Sequence, residues 1–228
     1  MATIVISESN NPYLNLAYED YIFRHGDAND NTLLLWQNSP CVVIGRGQNP
    51  WAECDLAFLR SNHIPLVRRQ SGGGTVYHDL GNLNLSFMGP QAHLERNKNN
   101  QYLIQALANL GIPIMANKRG DLTTRVKDQV YKVSGSAYRV TSKRQFHHLS
   151  LLINANLDWL SKSLNSSNQI MSTKSVHSVR SKVINLNSIK PISSDQFKNE
   201  LIKQYKASNN TVIINKIRII NITNAKNI

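Results

Sequence analysis

Residues 68–87, "RRQSGGGTVYHDLGNLNLSF", set two arginines and three consecutive glycines ahead of a His-Asp pair and an alternating apolar run. Glycine forgoes a side chain and adds backbone freedom that folding must remove, so three in a row suggest a backbone that something approaches closely. The spacing is neither GxGxxG nor GxxxxGKS/T, and a strand rather than a helix follows, which argues against a Rossmann turn or a Walker loop. What remains is a strand, a glycine turn and a strand, whose bare N–H groups can hold a phosphate or carboxylate. Arg68 and Arg69 point to opposite faces of the preceding strand, so at most one reaches the same cleft. A guanidinium beside free amides is an anion cradle. A plain hairpin turn with surface arginines fits the pattern equally well.

A second stretch, "YKVSGSAYR" at 131–139, places Tyr131 and Val133 on one face of a strand and Lys132 and Ser134 on the other. Gly135 marks a bulge or a close backbone approach. A lysine on a rigid strand can neutralise a carboxylate and then a phosphate, although a strand lysine by itself is usually just solvated. His78-Asp79 and His147-His148 are donors or bases in principle. Without a third ligand at suitable spacing they do not make a metal site. No Ser or Cys sits in a nucleophile elbow. Cys41 and Cys54 form no CxxC or Cys/His array, so we read them as buried thiols rather than a disulfide or zinc framework.

These residues need a scaffold, and the periodicity supplies one. Residues 3–6 read as a strand, and 11–25 as a helix with Pro12 in its first turn and Leu16, Ala17 and Tyr21 on one face. "TLLLW", "CVVIG" and "PLVRR" read as strands, with one helix from about Trp51 before the third. "TVYHD" and "NLNLSFM" read as two strands joined by a tight turn at Leu80-Gly81. A helix follows with Leu103, Leu107 and Leu110 in a stripe, stopped by Gly111 and Pro113. Residues 121–126, 130–140 and 146–154 predict an antiparallel meander, with a short helix near 158–163. Residues 161–190 predict a mobile loop, and 193–206 a capped helix with Phe197, Leu201 and Tyr205 inward. β-like alternation at Ile217 and Ile219 suggests a last strand with a frayed end. The class is α+β, a mixed, largely antiparallel sheet flanked by helices.

Composition narrows the function classes. With 228 residues and 41% hydrophobic content, the chain can bury a sizeable core. No basic leader with an apolar core opens it, and the longest apolar runs are too short for a membrane span. Its 26 Lys and Arg against 14 Asp and Glu leave a net charge of +12. That excess suits nucleic acid, an anionic membrane, a phosphorylated small molecule or an acidic protein. No run of like charge reaches five, and basic-aromatic interleaving is absent. We expect neither a nucleic-acid nor a membrane partner.

The combination is more specific than its parts. The glycine stretch, "KRGDL" (118–122), "YKVSGSAYR", "FHHLSLLINANL" (146–157) and "KSVHSVRSKVINL" (174–186) occur in this order. Together with "NLAYEDYIF" and "VVIGRGQNPWAEC" nearer the N-terminus, they resemble the lipoate–protein ligase A family of the lipoyl/biotinyl ligase superfamily. The resemblance runs from about residue 3 to residue 205. It implies a catalytic domain of the class II aminoacyl-tRNA synthetase/biotin ligase-like type, single over 1–228, without the C-terminal accessory domain of many bacterial members. The chain being a fragment, or working with a separate accessory-domain protein, stays open.

The resemblance implies ATP-dependent activation of lipoate to lipoyl-AMP, then transfer to a lysine of lipoyl-domain proteins. Those acceptors are the acyltransferase subunits of 2-oxo acid dehydrogenases and the glycine-cleavage H protein. Lys132 matches the essential lysine, contacting lipoate and nucleotide. Arg69, Gly74, Thr75, Val76 and Tyr77 match the ATP and lipoyl-AMP segment. Ser71, Gly72, Gly73, His78, Asp79, Asn82, Asp121, Ser134, Gly135 and His148 are further pocket candidates, with Asp121 a contact for Mg2+ arriving with ATP. Val76 and Leu85 are candidates to line the slot for the lipoate tail. The alternatives are a lipoyltransferase using preformed lipoyl-AMP or another lipoyl protein as donor and, more remotely, a noncatalytic basic binding protein. The related octanoyltransferases work through a cysteine, and none follows Lys132. Biotin ligases carry a GRGR-type signature in their biotin loop, whereas "GRGQ" here precedes the glycine triplet. The compartment implied is bacterial cytoplasm, or a mitochondrial matrix after removal of a presequence.

Overall fold

The computed structural model describes residues 1–91, 96–164, 174–209 and 211–217. The chain begins with β1 (Ala2–Ser7), α1 (Pro12–His25), β2 (Asn31–Trp36) and β3 (Cys41–Ile44). Short helices α2 (Pro50–Glu53) and α3 (Leu56–Ser61) lead to β4 (Leu66–Arg68), β5 (Val76–His78) and β6 (Asn82–Pro90). After α4 (Arg96–Asn109) come β7 (Met115–Ala116), β8 (Leu122–Val126), β9 (Gln129–Lys132), β10 (Ser134–Val140) and β11 (Arg144–Leu152). The series closes with α5 (Leu157–Ser163), α6 (Ser194–Ala207) and β12 (Val212–Ile217).

Among the described residues the strands form three sheets. The largest runs β10-β11-β6-β2-β1-β12, with β1 parallel to both neighbours and the other pairs antiparallel. A small sheet, β4-β3-β5, is mixed, and β7-β8-β9 is antiparallel. The α+β class of mixed sheets flanked by helices is the observed one.

Local chemistry accounts for the helices. Asn11 caps α1 by accepting from the amides of Tyr13 and Leu14, and Pro12 fills the first turn, where a missing N–H costs nothing. Ser193 and Gln196 form a reciprocal capping box on α6, and Phe197, Leu201 and Tyr205 are buried, as their spacing requires. Two details differ from the periodicity. In α1 the inward face is Asn15, Leu16, Glu19, Ile22 and Phe23, while Ala17 and Tyr21 are exposed. The expected single helix after Trp51 breaks at Cys54-Asp55, because the Asp55 side chain accepts from the Phe58 amide and starts α3 anew.

Strand pairing departs further. "TVYHD" and "NLNLSFM" do not make a hairpin: β5 pairs with β3 in the small sheet, while β6 lies between β2 and β11 in the large one. Asp79 fixes that crossing by accepting the amides of Gly81 at 2.8 Å and Asn156 at 2.7 Å. The expected meander is likewise cut at Val133. Lys132 pairs with Thr123 of β8, whereas Ser134 pairs with Leu151 of β11. One run of unbroken alternation therefore serves two sheets.

The expected loop at 161–190 is only partly within the described residues, since 165–173 lie outside them. Its later part is pinned. Lys132 N–H donates to Lys182 O, Ile184 N–H to Lys132 O, and Val176 N–H to Gly47 O. The alternation reaches β12 through Ile217, and Ile219 lies outside the described residues. No helix among the described residues is long and apolar enough to cross a membrane.

Candidate active site

The glycine loop lies over the large sheet, on the face opposite α4 and α6, and Arg69 organises it. Its guanidinium donates from Nε to Ser71 Oγ (3.0 Å), from Nη1 to Val43 O (3.2 Å), and from Nη2 to the carbonyls of Gly72 and Gly74 (both 2.6 Å). Burial pulls the guanidinium down to about 10, against the opposing pull of Glu19, so it stays charged at neutral pH. Arg68 points to the opposite side and holds the carbonyls of Gly45, Arg46 and Gln48. Gly73 has φ +86, and a Cβ there would sit 3.0 Å from Arg69 Nη2 and 3.1 Å from Ala137 Cβ. Backbone conformation and space both call for glycine at that position.

Two cavities adjoin beneath the loop. The wider, about 970 Å³, is walled by α5 on one side and by residues 177–183 on the other. The narrower, about 130 Å³, runs between the small sheet and the large one, past Val43, Arg69, His78 and His148 to Leu16 and Trp36. Thr75, Val76, Lys132, Gly135, Ser150, Ser178 and Val179 belong to both. Lys132 therefore stands at the junction, its Nζ 2.9 Å from Asp121 Oδ1. Asp121 is held in turn by the Asn117 side chain, which accepts its amide at 3.0 Å.

Beneath the loop runs a buried polar chain. Trp36 Nε1 donates to Ser86 Oγ at 3.1 Å, and Ser86 Oγ donates to the Glu19 carboxylate. Glu19 Oε1 accepts a hydrogen bond from His148 Nδ1 at 2.9 Å, and His148 Nε2 pairs with Ser71 Oγ at 2.7 Å. That chain links α1 and the sheet to the loop and fixes the His148 ring orientation. His78 is buried against Asn38, whose Nδ2 lies 3.2 Å from its Nδ1. Burial, with nearby Arg69 and His148, lowers its pKa to about 3 and keeps the ring neutral. Burial pushes both the Cys41 and Cys54 thiols up to about 12, so neither supplies a thiolate.

The candidate residues divide as follows. Lys132, Thr75, Val76 and Gly135 line both cavities; Arg69, Gly74, His78, Asp121 and His148 line the narrow one; Tyr77 and Ser134 line the wide one. Ser71, Gly72 and Gly73 shape the loop without lining either. Asp79 and Asn82 line neither cavity. Asp79 ties the turn described above, and Asn82 is fully buried with its side chain on Asn84. Leu85 is corrected: its side chain faces the opposite core, with Leu83 and Phe87.

Sequence reasoning missed Leu16, Trp36, Asn84 and Ser150, and also the strap at 174–183. The strap docks through Ser178, whose Oγ accepts from the Thr75 amide (2.8 Å) and Gln48 Nε2 (3.0 Å). Its amide donates to the buried carboxylate of Glu53 at 3.2 Å, which His177 Nδ1 also approaches at 3.3 Å. A Cβ on Gly74 would meet Ser178 Oγ at 3.0 Å, so this glycine makes room for the strap. The available signal was the alternation of Asn and Ser with Leu along β6.

No group of three or more His, Cys, Asp or Glu among the described residues could hold a metal. Asp121 in the narrow cavity and Glu53 in the wide one are carboxylates that could touch a cation carried by a ligand's phosphates.

Fold and site together give an α+β domain with one roomy and one narrow compartment meeting at a lysine. The chain belongs to the lipoyl protein ligase A/B catalytic domain family, whose profile matches residues 11–206. Lipoate-protein ligase A of Bdellovibrio bacteriovorus is 41% identical over 204 residues, covering 89% of this chain; the chain spans about 60% of that relative's length. Among solved structures, Plasmodium falciparum LipL1 in complex with lipoate has a TM-score of 0.80 at 27% identity, over 95% of this chain and 66% of that one. A lipoate-protein ligase A bound with ATP gives 0.75 at 25% identity, over 96% and 89%. The bi-partite lipoate protein ligase of Thermoplasma acidophilum shares the fold, with a TM-score of 0.78 at 24% identity over 96% and 87%.

Proposed function

We propose that this chain activates lipoate with ATP and passes the lipoyl group to a lysine of lipoyl-domain proteins. The observation that carries this reading is Lys132 at the junction of a wide and a narrow cavity. A nucleotide suits the wide, partly polar one, and a short apolar tail ending in a carboxylate suits the narrow one. A lipoate carboxylate oxygen attacks the α-phosphorus of ATP, the acyl–phosphate bond forms, and pyrophosphate leaves with the cleaved oxygen.

Two anions must meet for that step, so fixed positive charge at the meeting point is what the reaction needs. The Lys132 ammonium supplies it by exchanging its partner: Asp121 holds it before substrate enters, and the substrate's anionic oxygens hold it afterwards. Lys132 acts as an electrostatic clamp and forms no bond. The acceptor's own lysine amine then attacks the acyl carbon, the amide forms, and AMP departs. Mg2+ enters as part of the ATP substrate, with Asp121 as its protein contact. The excess of 26 basic over 14 acidic residues speeds encounter with acidic acceptor domains, the acyltransferase subunits and H protein among them.

The test is a mobility assay on an unmodified lipoyl domain. The chain is incubated with lipoate and ATP-Mg in one tube and with synthetic lipoyl-AMP in another. Modification in both is the expected result. Modification only with lipoyl-AMP makes the chain a transferase, and an unmodified domain in both tubes would sink the enzymatic reading.

A further inference from the structure

The floor of the narrow cavity is the front face of the large sheet, and strand register arranges it in rows. Gly135 of β10, Ser150 of β11, Asn84 of β6 and Trp36 of β2 stand opposite one another in one such row. Gly135 flanks the mouth beside Lys132. Strands lie about 4.8 Å apart, so Asn84 is two strands and roughly 10 Å deeper, about the reach of a short acyl chain. The walls at that depth include the apolar Leu16, Trp36 and Val43, with His78 edge-on to Trp36.

Asn84 is the polar residue there with a buried donor left unpaired. Its side chain is 1% exposed, and its Oδ1 accepts from Asn82 Nδ2 at 3.0 Å. Its Nδ2 has no hydrogen-bond partner among the described residues. Trp36 Nε1 is engaged by Ser86 and His78 Nδ1 by Asn38, while Asn82 Oδ1, on the residue that donates to Asn84, also lacks a partner among the described residues. A buried donor without an acceptor is costly, and a leucine, as at Leu83 and Leu85 on the same strand, would complete a slot meant only for hydrocarbon.

We infer that Asn84 is a specificity-determining residue whose Nδ2–H meets an acceptor at the far end of the acyl chain. It therefore selects the sulfur-bearing dithiolane ring over a hydrocarbon tail of the same shape. This rests on the proposed reading of the narrow cavity as the acyl slot. Disulfide sulfur is a weak acceptor, so the discrimination is moderate rather than absolute.

The test compares three acids as ATP-dependent substrates on an unmodified lipoyl domain: lipoate, 5-cyclopentylpentanoate, which keeps the ring but lacks sulfur, and octanoate. For the wild-type chain we expect kcat/KM for lipoate to exceed that for the cyclopentyl acid by about tenfold. In Asn84→Leu the ratio falls toward one, through loss on lipoate and gain on the carbocycle. Asn84→Ser, smaller and still polar, gives an intermediate ratio and serves if the leucine variant does not fold. A wild-type ratio near one, or a ratio unchanged in either folded variant, overturns the inference. Equal use of all three acids would do so while leaving the ligase reading intact. Modification with none, even from the synthetic acyl-adenylates, would remove both.

Discussion

The two faces of the large sheet are built by the same strands from opposite chemistry. Behind, Leu83, Leu85 and Phe87 of β6 and Leu149 and Leu151 of β11 pack with α4 and α6, through Leu103, Leu107, Phe197 and Leu201. In front, the alternate positions are Asn84, Ser86, His148 and Ser150, under the glycine loop and beside Lys132. The period of two along a strand allows this division. One face removes apolar area from water and can be close-packed, while the other must keep space and unsatisfied polarity for a ligand. The difference teaches that stability and chemistry here are separable by side-chain parity, so a substitution on β6 should affect one or the other.

The largest stability effect belongs to the back face. Leu85→Ala should cost about 2–5 kcal/mol, read from urea unfolding, with kcat/KM per folded molecule nearly unchanged. A comparable loss of catalysis in the folded variant would break the division. Gly73→Val strains the left-handed backbone and presses on Arg69 and Ala137, so it should cost roughly 1–3 kcal/mol in the same measurement. Because the strain falls on the loop, catalysis should fall well beyond what the lost folded fraction explains.

The smallest effect sharpens the comparison through pH. His78 titrates near 3 in the folded chain and near 6.5 when unfolded, so in that window the unfolded chain binds a proton that the native one does not. Stability from this residue is therefore lost as pH falls from about 6.5 toward 3. Between pH 7 and 5.5 the loss is about 1 kcal/mol, and His78→Gln should flatten the slope by that amount in denaturant titrations. An unaltered slope would show that the narrow cavity, between the front face and the small sheet, tolerates charge at His78.

What could be read from the chain follows the same physics. Helix caps, the inward stripe of α6 and the identity of most strands are local, and the residues state them. Sheet membership is not local. Nothing in "YKVSGSAYR" distinguishes one strand from two, because the switch at Val133 comes from β8 capturing Lys132 and β11 capturing Ser134. The same long-range choice turned Leu85 away from the slot and Asn84 into it. Residue type and spacing left Arg69 and the glycines open to a plain turn and Lys132 to solvent, and the family resemblance made them site candidates. Glu19, Glu53 and Ser178 were not, since each acts through partners far along the chain. The Ser-, Asn- and Lys-rich composition of 161–190 suggested a mobile loop and concealed a strap with specific hydrogen bonds.

The central claim is that the charge of Lys132 couples the two cavities, and Lys132→Gln isolates it because the amide still offers Asp121 an N–H donor. The decisive measurement is lipoate-dependent pyrophosphate release from ATP in a single turnover, with the unfolding midpoint determined alongside. We predict a rate about 10²–10³-fold below wild type with the fold retained. A folded Lys132→Gln chain releasing pyrophosphate at the wild-type rate would contradict the account.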